Sequence, residues 1–114
     1  MSTEPNISQL RKGLLDVFVL LAIFEADKYP SEIISKLEEK GISVAEGTLY
    51  PLLNRLKNDN RIIYRWEESK SGPPRKYFQI TDEGKQYLQS SLDSLSELIN
   101  AIQQLCDENS ISFI

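Results

Sequence analysis

The spacing of apolar positions changes along this chain from helical to alternating and back to helical, and each change predicts an element. Leu14, Leu15 and the run Val17-Phe18-Val19-Leu20-Leu21-Ala22-Ile23-Phe24 predict a first helix over about residues 9–25, with Ser8 as its cap. Its interior is apolar almost all round, so it must be covered on more than one side. Asp27-Lys28-Tyr29 then form a turn, and Pro30 at the first helical position opens a second helix to about residue 40. Ile33, Ile34 and Leu37 share one of its faces, and Gly41 ends it. Ser43-Val44-Ala45-Glu46 has the S-x-x-E spacing of a capping box and predicts a third helix from there to about residue 58.

Within that third helix, Leu49, Leu52, Leu53 and Leu56 follow the i, i+3, i+4, i+7 rule of a buried stripe. Gly47, Tyr50, Pro51, Asn54 and Asn58 are left pointing outward, a face almost without charge yet rich in hydrogen-bonding groups. Pro51 presses on the carbonyl of Gly47, the residue that yields most easily, so a kink is expected there. A small helix resting on a core and showing this face outward fits the reading of a surface better than a catalytic pocket.

Alternation replaces helical spacing next. In Ile62-Ile63-Tyr64-Arg65-Trp66-Glu67, residues Ile62, Tyr64 and Trp66 share one face; in Arg75-Lys76-Tyr77-Phe78-Gln79-Ile80, Phe78 and Ile80 face inward. The stretch Glu68-Ser69-Lys70-Ser71-Gly72-Pro73-Pro74 looks too long for a tight turn and is expected to project as a loop, a wing. Helix, turn, helix and winged hairpin describe a mainly helical (α+β) winged helix-turn-helix. Thr81 then caps a final helix to about residue 107. Along it Leu88, Leu92, Leu95, Ile99, Ile102 and Cys106 form an a/d seam, widened by Leu98 and Leu105. Such a seam serves a subunit contact or a helix lying on its own core, or each in a different half. The expected division is residues 1–81 as the winged domain, 82–107 as a dimerisation helix and 108–114 as a tail.

Composition removes alternatives. The 114 residues, 40% of them hydrophobic, suit one domain with a modest core. No stretch approaches a membrane span, and the N-terminus lacks a signal peptide, which makes the cytoplasm the expected address. A single cysteine and no histidine leave no Cys-based zinc site and no His-based acid–base pair, so neither cofactor, metal nor catalytic residue is expected. Adjacent acids such as Glu38-Glu39 or Glu67-Glu68 point to different faces and converge on no pocket. Net charge is −4, but its distribution matters more: five basic and eight acidic groups in residues 1–54, eight and five in 55–85, none and four in 86–114. The basic middle segment interleaves its charges with Tyr64, Trp66, Tyr77 and Phe78. A solvated hairpin and a nucleic-acid surface both fit it.

Three segments carry a more specific signal. Glu46-Gly47-Thr48-Leu49-Tyr50-Pro51-Leu52-Leu53-Asn54-Arg55-Leu56, Gly72-Pro73-Pro74-Arg75-Lys76-Tyr77-Phe78 and Ile80-Thr81-Asp82-Glu83-Gly84, in this order and spacing, resemble the PadR family of bacterial transcriptional regulators, in its short branch with one C-terminal helix. The resemblance covers about residues 10–105. It implies a homodimer that binds double-stranded operator DNA near promoters, usually as a repressor, often released by a small-molecule effector. The chain departs from the family at Tyr29-Pro30, where Tyr-Gly is frequent, and at Asn60, where Gly is common and Asn tolerates a left-handed backbone. Leu95 stands where many short members carry a Trp in the final helix.

On this basis two copies of the third helix are expected to enter successive major grooves while the wings reach flanking phosphates or the minor groove. Thr48, Tyr50 and Asn54 are the candidate base readers, with Tyr50 alternatively a packing residue at the groove rim. Lys57, Lys70, Arg75 and Lys76 are the candidate phosphate contacts, and Arg65 a lesser one; for Lys57 and Arg65 a solvated charge is the alternative. Leu88, Leu92, Leu95, Ile99 and Ile102 are the dimerisation residues, and Cys106 is a small seam residue. Leu14 and Phe18 of the first helix, with Leu88, Leu92 and Leu95, are the candidate lining of an effector pocket. A winged-helix protein that binds another protein and not DNA is the competing reading, and the salt dependence of duplex affinity separates the two.

Overall fold

The computed structural model describes residues 7–69 and 71–114. Its elements in chain order are α1 (Ile7–Gly13), α2 (Leu15–Ala22), α3 (Pro30–Glu39), α4 (Glu46–Asn58), β1 (Ile62–Ser69), β2 (Gly72–Ile80) and α5 (Asp82–Glu108). The two strands pair antiparallel in a two-stranded sheet. This is the expected winged helix-turn-helix with a long last helix.

Three local expectations are corrected. The single first helix is two, broken at Leu14, whose φ of −108° and ψ of 6° leave the helical well after the permissive Gly13. The new start is held by Asp16, whose carboxylate accepts the Val17 N–H at 2.8 Å. The described part of α1 begins at Ile7, so Ser8 lies within it and not ahead of it. The second correction concerns Ser43, which caps nothing: α4 starts only at Glu46, with Ala45 as N-cap and no side-chain cap. Ile42 and Val44 are half-buried against the core, and that alternate burial keeps residues 42–45 out of the helix past the point where the motif would have begun it. A carboxylate reaching back to an N-cap appears at α3 instead, where Glu32 Oε1 accepts the Tyr29 N–H at 2.9 Å.

The third correction is the wing. Glu68, Ser69, Gly72, Pro73 and Pro74 belong to strands and not to a projecting loop; β1 runs to Ser69, β2 starts at Gly72, and these two residues face each other. Between the pairs Glu67–Arg75 and Ser69–Gly72 the register slips, with Pro73 and Pro74 opposite Glu68. Prolines are tolerated here because in a two-stranded sheet every strand is an edge and a bulge needs fewer N–H donors.

The core joins Val19, Leu20 and Ile23 to Ile33 and Leu37 of α3, the four leucines of α4, Ile62, Phe78 and Ile80 of the hairpin, and Leu88 of α5. Each such side chain contributes about 1.5–3 kcal/mol relative to exposure. Two reciprocal bonds between Lys28 and Phe78, 3.0 and 2.9 Å, tie the turn before α3 to the outer edge of β2.

The base of the hairpin is clamped between α4 and α5. Asn60 takes φ 62°, the left-handed conformation expected of it, and lets Arg61 N–H return to the Leu56 carbonyl at 2.9 Å. Thr81 caps α5, accepting the Gly84 N–H at 2.9 Å, and donates its hydroxyl to the Asn60 carbonyl at 2.7 Å. Gly84 is buried so tightly that a Cβ there would stand 2.0 Å from the Arg61 carbonyl oxygen.

Candidate nucleic-acid interface

The helical period sorts α4 cleanly. Leu49, Leu52, Leu53 and Leu56 are buried, whereas Gly47, Thr48, Tyr50, Pro51, Asn54, Lys57 and Asn58 are exposed. The helix continues through Pro51 to Asn58, and its last turn carries Arg55 and Lys57. The three candidate base readers are therefore on the open side, but they border two different grooves. Tyr50 and Asn54 share one with Lys57 and the hairpin residues Tyr64, Trp66 and Lys76. Thr48 borders another, toward α1, with Arg11 and Lys12. Those two basic residues were missed from the sequence; the signal was their position just before Gly13, which is informative only once α1 is known to lie beside the start of α4.

Strand alternation divides the hairpin in the same way. The cross-strand pairs Ile62–Ile80, Tyr64–Phe78 and Trp66–Lys76 lie on the inner face, and Ile63–Gln79, Arg65–Tyr77 and Glu67–Arg75 on the outer one. Arg75 and Lys76, expected to act together, thus leave the hairpin on opposite faces. On the inner face the Lys76 ammonium sits 4.5 Å from the Tyr64 ring centre and 5.5 Å from that of Trp66, and the Lys57 ammonium 5.4 Å from Tyr64. Tyr64 in turn meets Trp66 edge-on at 6.1 Å and Phe78 at 5.7 Å.

On the outer face one of the two cations already has acidic partners. Arg65 pairs with Asp27 and, at 2.9 Å, with Glu67. Hydrogen bonds to Asp27 first and Glu67 second hold its guanidinium pKa above the ordinary arginine value. Arg65 is thus not a solvated charge without a partner, and a phosphate contact there requires it to leave Asp27 and Glu67. Its guanidinium also stacks 4.6 Å from Tyr77, whose ring meets Tyr29 at 4.6 Å, and Arg75 lies 5.0 Å from Tyr29. Lys70, the remaining candidate phosphate contact, lies outside the described residues.

The a/d seam of α5 is split by burial. Leu88 belongs to the chain's own core, which removes it from any exposed seam, and Leu92 packs partly against that core. Leu95 and Cys106 are half-buried, while Ile99 and Ile102, with Leu98 and Leu105, are exposed. Leu14 and Leu95 line one groove between the α1–α2 break and α5, together with Asp16, Tyr87 and Ser91; Phe18 packs against the core and is absent from that lining. Tyr87 donates its hydroxyl to Asp16, and this bond, then burial, raises its pKa. The Arg61 guanidinium stacks 3.5 Å from the Tyr87 ring centre, so this groove abuts the clamp at the end of α4. Among the described residues no group of acidic, histidine and cysteine side chains is placed to hold a metal ion, and no helix is long and apolar enough to cross a membrane.

Comparison with known proteins gives this geometry a context. The model described as "Transcriptional regulator PadR-like family" matches residues 19–90, which span α3, α4, the hairpin and the first turns of α5. A PadR-like transcription factor from Bacteroides fragilis is 44% identical in sequence, with 89% of this chain and 99% of that chain covered at a TM-score of 0.77. A PadR family transcriptional regulator from Eggerthella lenta is 31% identical over 87% of each chain, at a TM-score of 0.81. The PadR of Bacillus subtilis, in a structure with operator DNA, is 24% identical over 69% of this chain and 47% of that one, at a TM-score of 0.65, a likeness of fold.

Proposed function

The chain belongs to the PadR-like family of transcriptional regulators, and on that premise we propose that it is a sequence-specific DNA-binding repressor acting as a homodimer at a promoter operator. The observation that carries the reading is the two-sidedness of α4. Four leucines bury one side, and the other presents a hydrogen-bonding face that carries no charge from Gly47 to Asn54, bordered by a groove that two lysines line and no carboxylate does. The Bacillus subtilis PadR bound to operator DNA supports DNA as the partner.

In this reading α4 enters the major groove, with Tyr50, Asn54 and Thr48 at base edges and Gly47 and Pro51 allowing close approach. Lys57 and Lys76 take backbone phosphates on the inner side of the hairpin and Arg75 on its outer side. The exposed part of the α5 seam, Leu95, Ile99 and Ile102, packs against the second copy, with Leu92 at its edge. The groove of Leu14, Tyr87 and Leu95 is the place for an effector, next to the clamp that ends α4. It offers no flat ring at Leu95, so planar aromatic ligands should bind weakly there.

Sedimentation of the protein with a labelled duplex taken from upstream of its own coding region, at stepped salt, tests both halves. The expected species is a dimer at micromolar concentration, bound to the duplex with an affinity that falls linearly on a log–log salt plot. A monomer throughout would remove the dimer. Absence of salt-dependent binding would remove the DNA reading in favour of a protein partner.

A further inference from the structure

The groove between α4 and the inner face of the hairpin encloses about 340 Å³. Two lysines, Lys57 and Lys76, converge on the Tyr64 ring within it, and no acidic residue lines it. Cation–π contacts of about 0.5–1 kcal/mol each orient the ammonium groups, but a ring quadrupole cancels no net charge. The groove therefore carries two positive charges that nothing in its lining neutralises, unlike Arg65 on the opposite face. Trp66 stands beside them with 62% of its surface exposed, although its own cross-strand partner is Lys76. A large ring left in water next to unmatched cations fits a ligand that is anionic at one end and apolar at the other.

We infer that this groove receives one deoxyribose-phosphate unit of the duplex backbone, with the phosphate at Lys57 and Lys76 and the apolar face of the sugar on the Trp66 indole. The inference rests on the DNA-binding reading above and adds Trp66 as a contact residue. The Lys76 ammonium lies over both Tyr64 and Trp66, so an anion bound to it lies against the indole. Tyr50 and Asn54 of the reading face line the same groove, which makes the backbone flanking the bases they read its natural occupant.

Trp66 is the only tryptophan of the chain, so the wild-type protein reports on it directly. With a labelled mixed-sequence duplex whose anisotropy scores binding independently, bound duplex is expected to shield Trp66 from acrylamide quenching. Trp66→Ala should weaken duplex affinity about tenfold, while Trp66→Phe retains most of it. Duplex binding that leaves Trp66 as open to acrylamide as in the free protein would overturn this inference and leave the DNA reading standing. Equal shielding by inorganic phosphate alone would also overturn it, since the sugar would then play no part. No binding of the duplex at all would remove the DNA reading and this inference together.

Discussion

The two faces of the β hairpin are built from the same kinds of residue and have opposite electrostatic fates. Each carries a pair of tyrosine-supported cations: Lys76, with Lys57 from α4, on Tyr64 inside, and Arg65 and Arg75 on Tyr77 and Tyr29 outside. The difference is in the acids. Asp27 and Glu67 meet Arg65, and no carboxylate lines the inner groove. A basic stretch of sequence is thus partitioned by strand alternation into one face that holds the hairpin against the turn before α3 and one that is open to an anion. Counting lysines and arginines cannot make that distinction; knowing which positions face which acids can.

Both faces hang from the clamp at Arg61, Thr81 and Gly84, so the strongest way to break the comparison is to remove their common base. Gly84→Ala puts a Cβ 2.0 Å from the Arg61 carbonyl and 2.8 Å from Ile80 Cγ1, and backbone on one side cannot swing away as a flexible side chain would. The expected loss is about 3 kcal/mol, a fall in Tm of roughly 15 °C by calorimetry. Duplex binding should fall with it. A Gly84→Ala protein that melts with the wild type would mean that the strand start moves freely and that the faces are not set from this point.

How much of this was legible beforehand depends on the range of the cause. Burial of Leu49, Leu52, Leu53 and Leu56 was legible because a 3.6-residue period is a local property and the core simply obeys it. The left-handed Asn60 was legible because few residues tolerate that backbone. The break at Leu14 and the late start of α4 were not, since each depends on partners distant in sequence: Tyr87 reaching Asp16, and the core claiming Ile42 and Val44. The hairpin tip was misread because two prolines usually argue against a strand, and here they occupy a register slip where the ladder does not need them. The opposite fates of Arg75 and Lys76 were implicit in alternation, but which face was open needed Asp27, 38 residues from Arg65 in the chain.

The comparison is sharpened by separating the two adjacent cations. Lys76→Ala takes one charge from the open groove, and in a dimer it removes up to two phosphate contacts, so the log–log salt slope should shrink by up to about 1.8. Arg75→Ala should shrink it less, because Arg75 stands across the strands from the acid Glu67, whereas no acid lines the groove of Lys76. Anisotropy titrations of the same duplex at several salt concentrations measure both. Equal slopes for the two variants would show that the faces do not differ toward DNA.

The smallest effect belongs to Arg65, and it tests the closed face alone. Arg65→Ala deletes both ion pairs and the stack on Tyr77, leaving Asp27, the less exposed of its two acids, without its cation. The groups lie near the surface, so the cost should be a fall in Tm of only a few degrees, and it should shrink as salt screens the lost pairs. If Arg65 serves only to hold the hairpin, the duplex salt slope stays at the wild-type value, because a charge already matched within the protein displaces no counterions from DNA. A slope that falls as far as it does for Lys76→Ala would show that Arg65 exchanges its carboxylates for phosphate on binding. Arg65 would then join Arg75 as a phosphate contact of the outer face, masked in the free protein by Asp27 and Glu67.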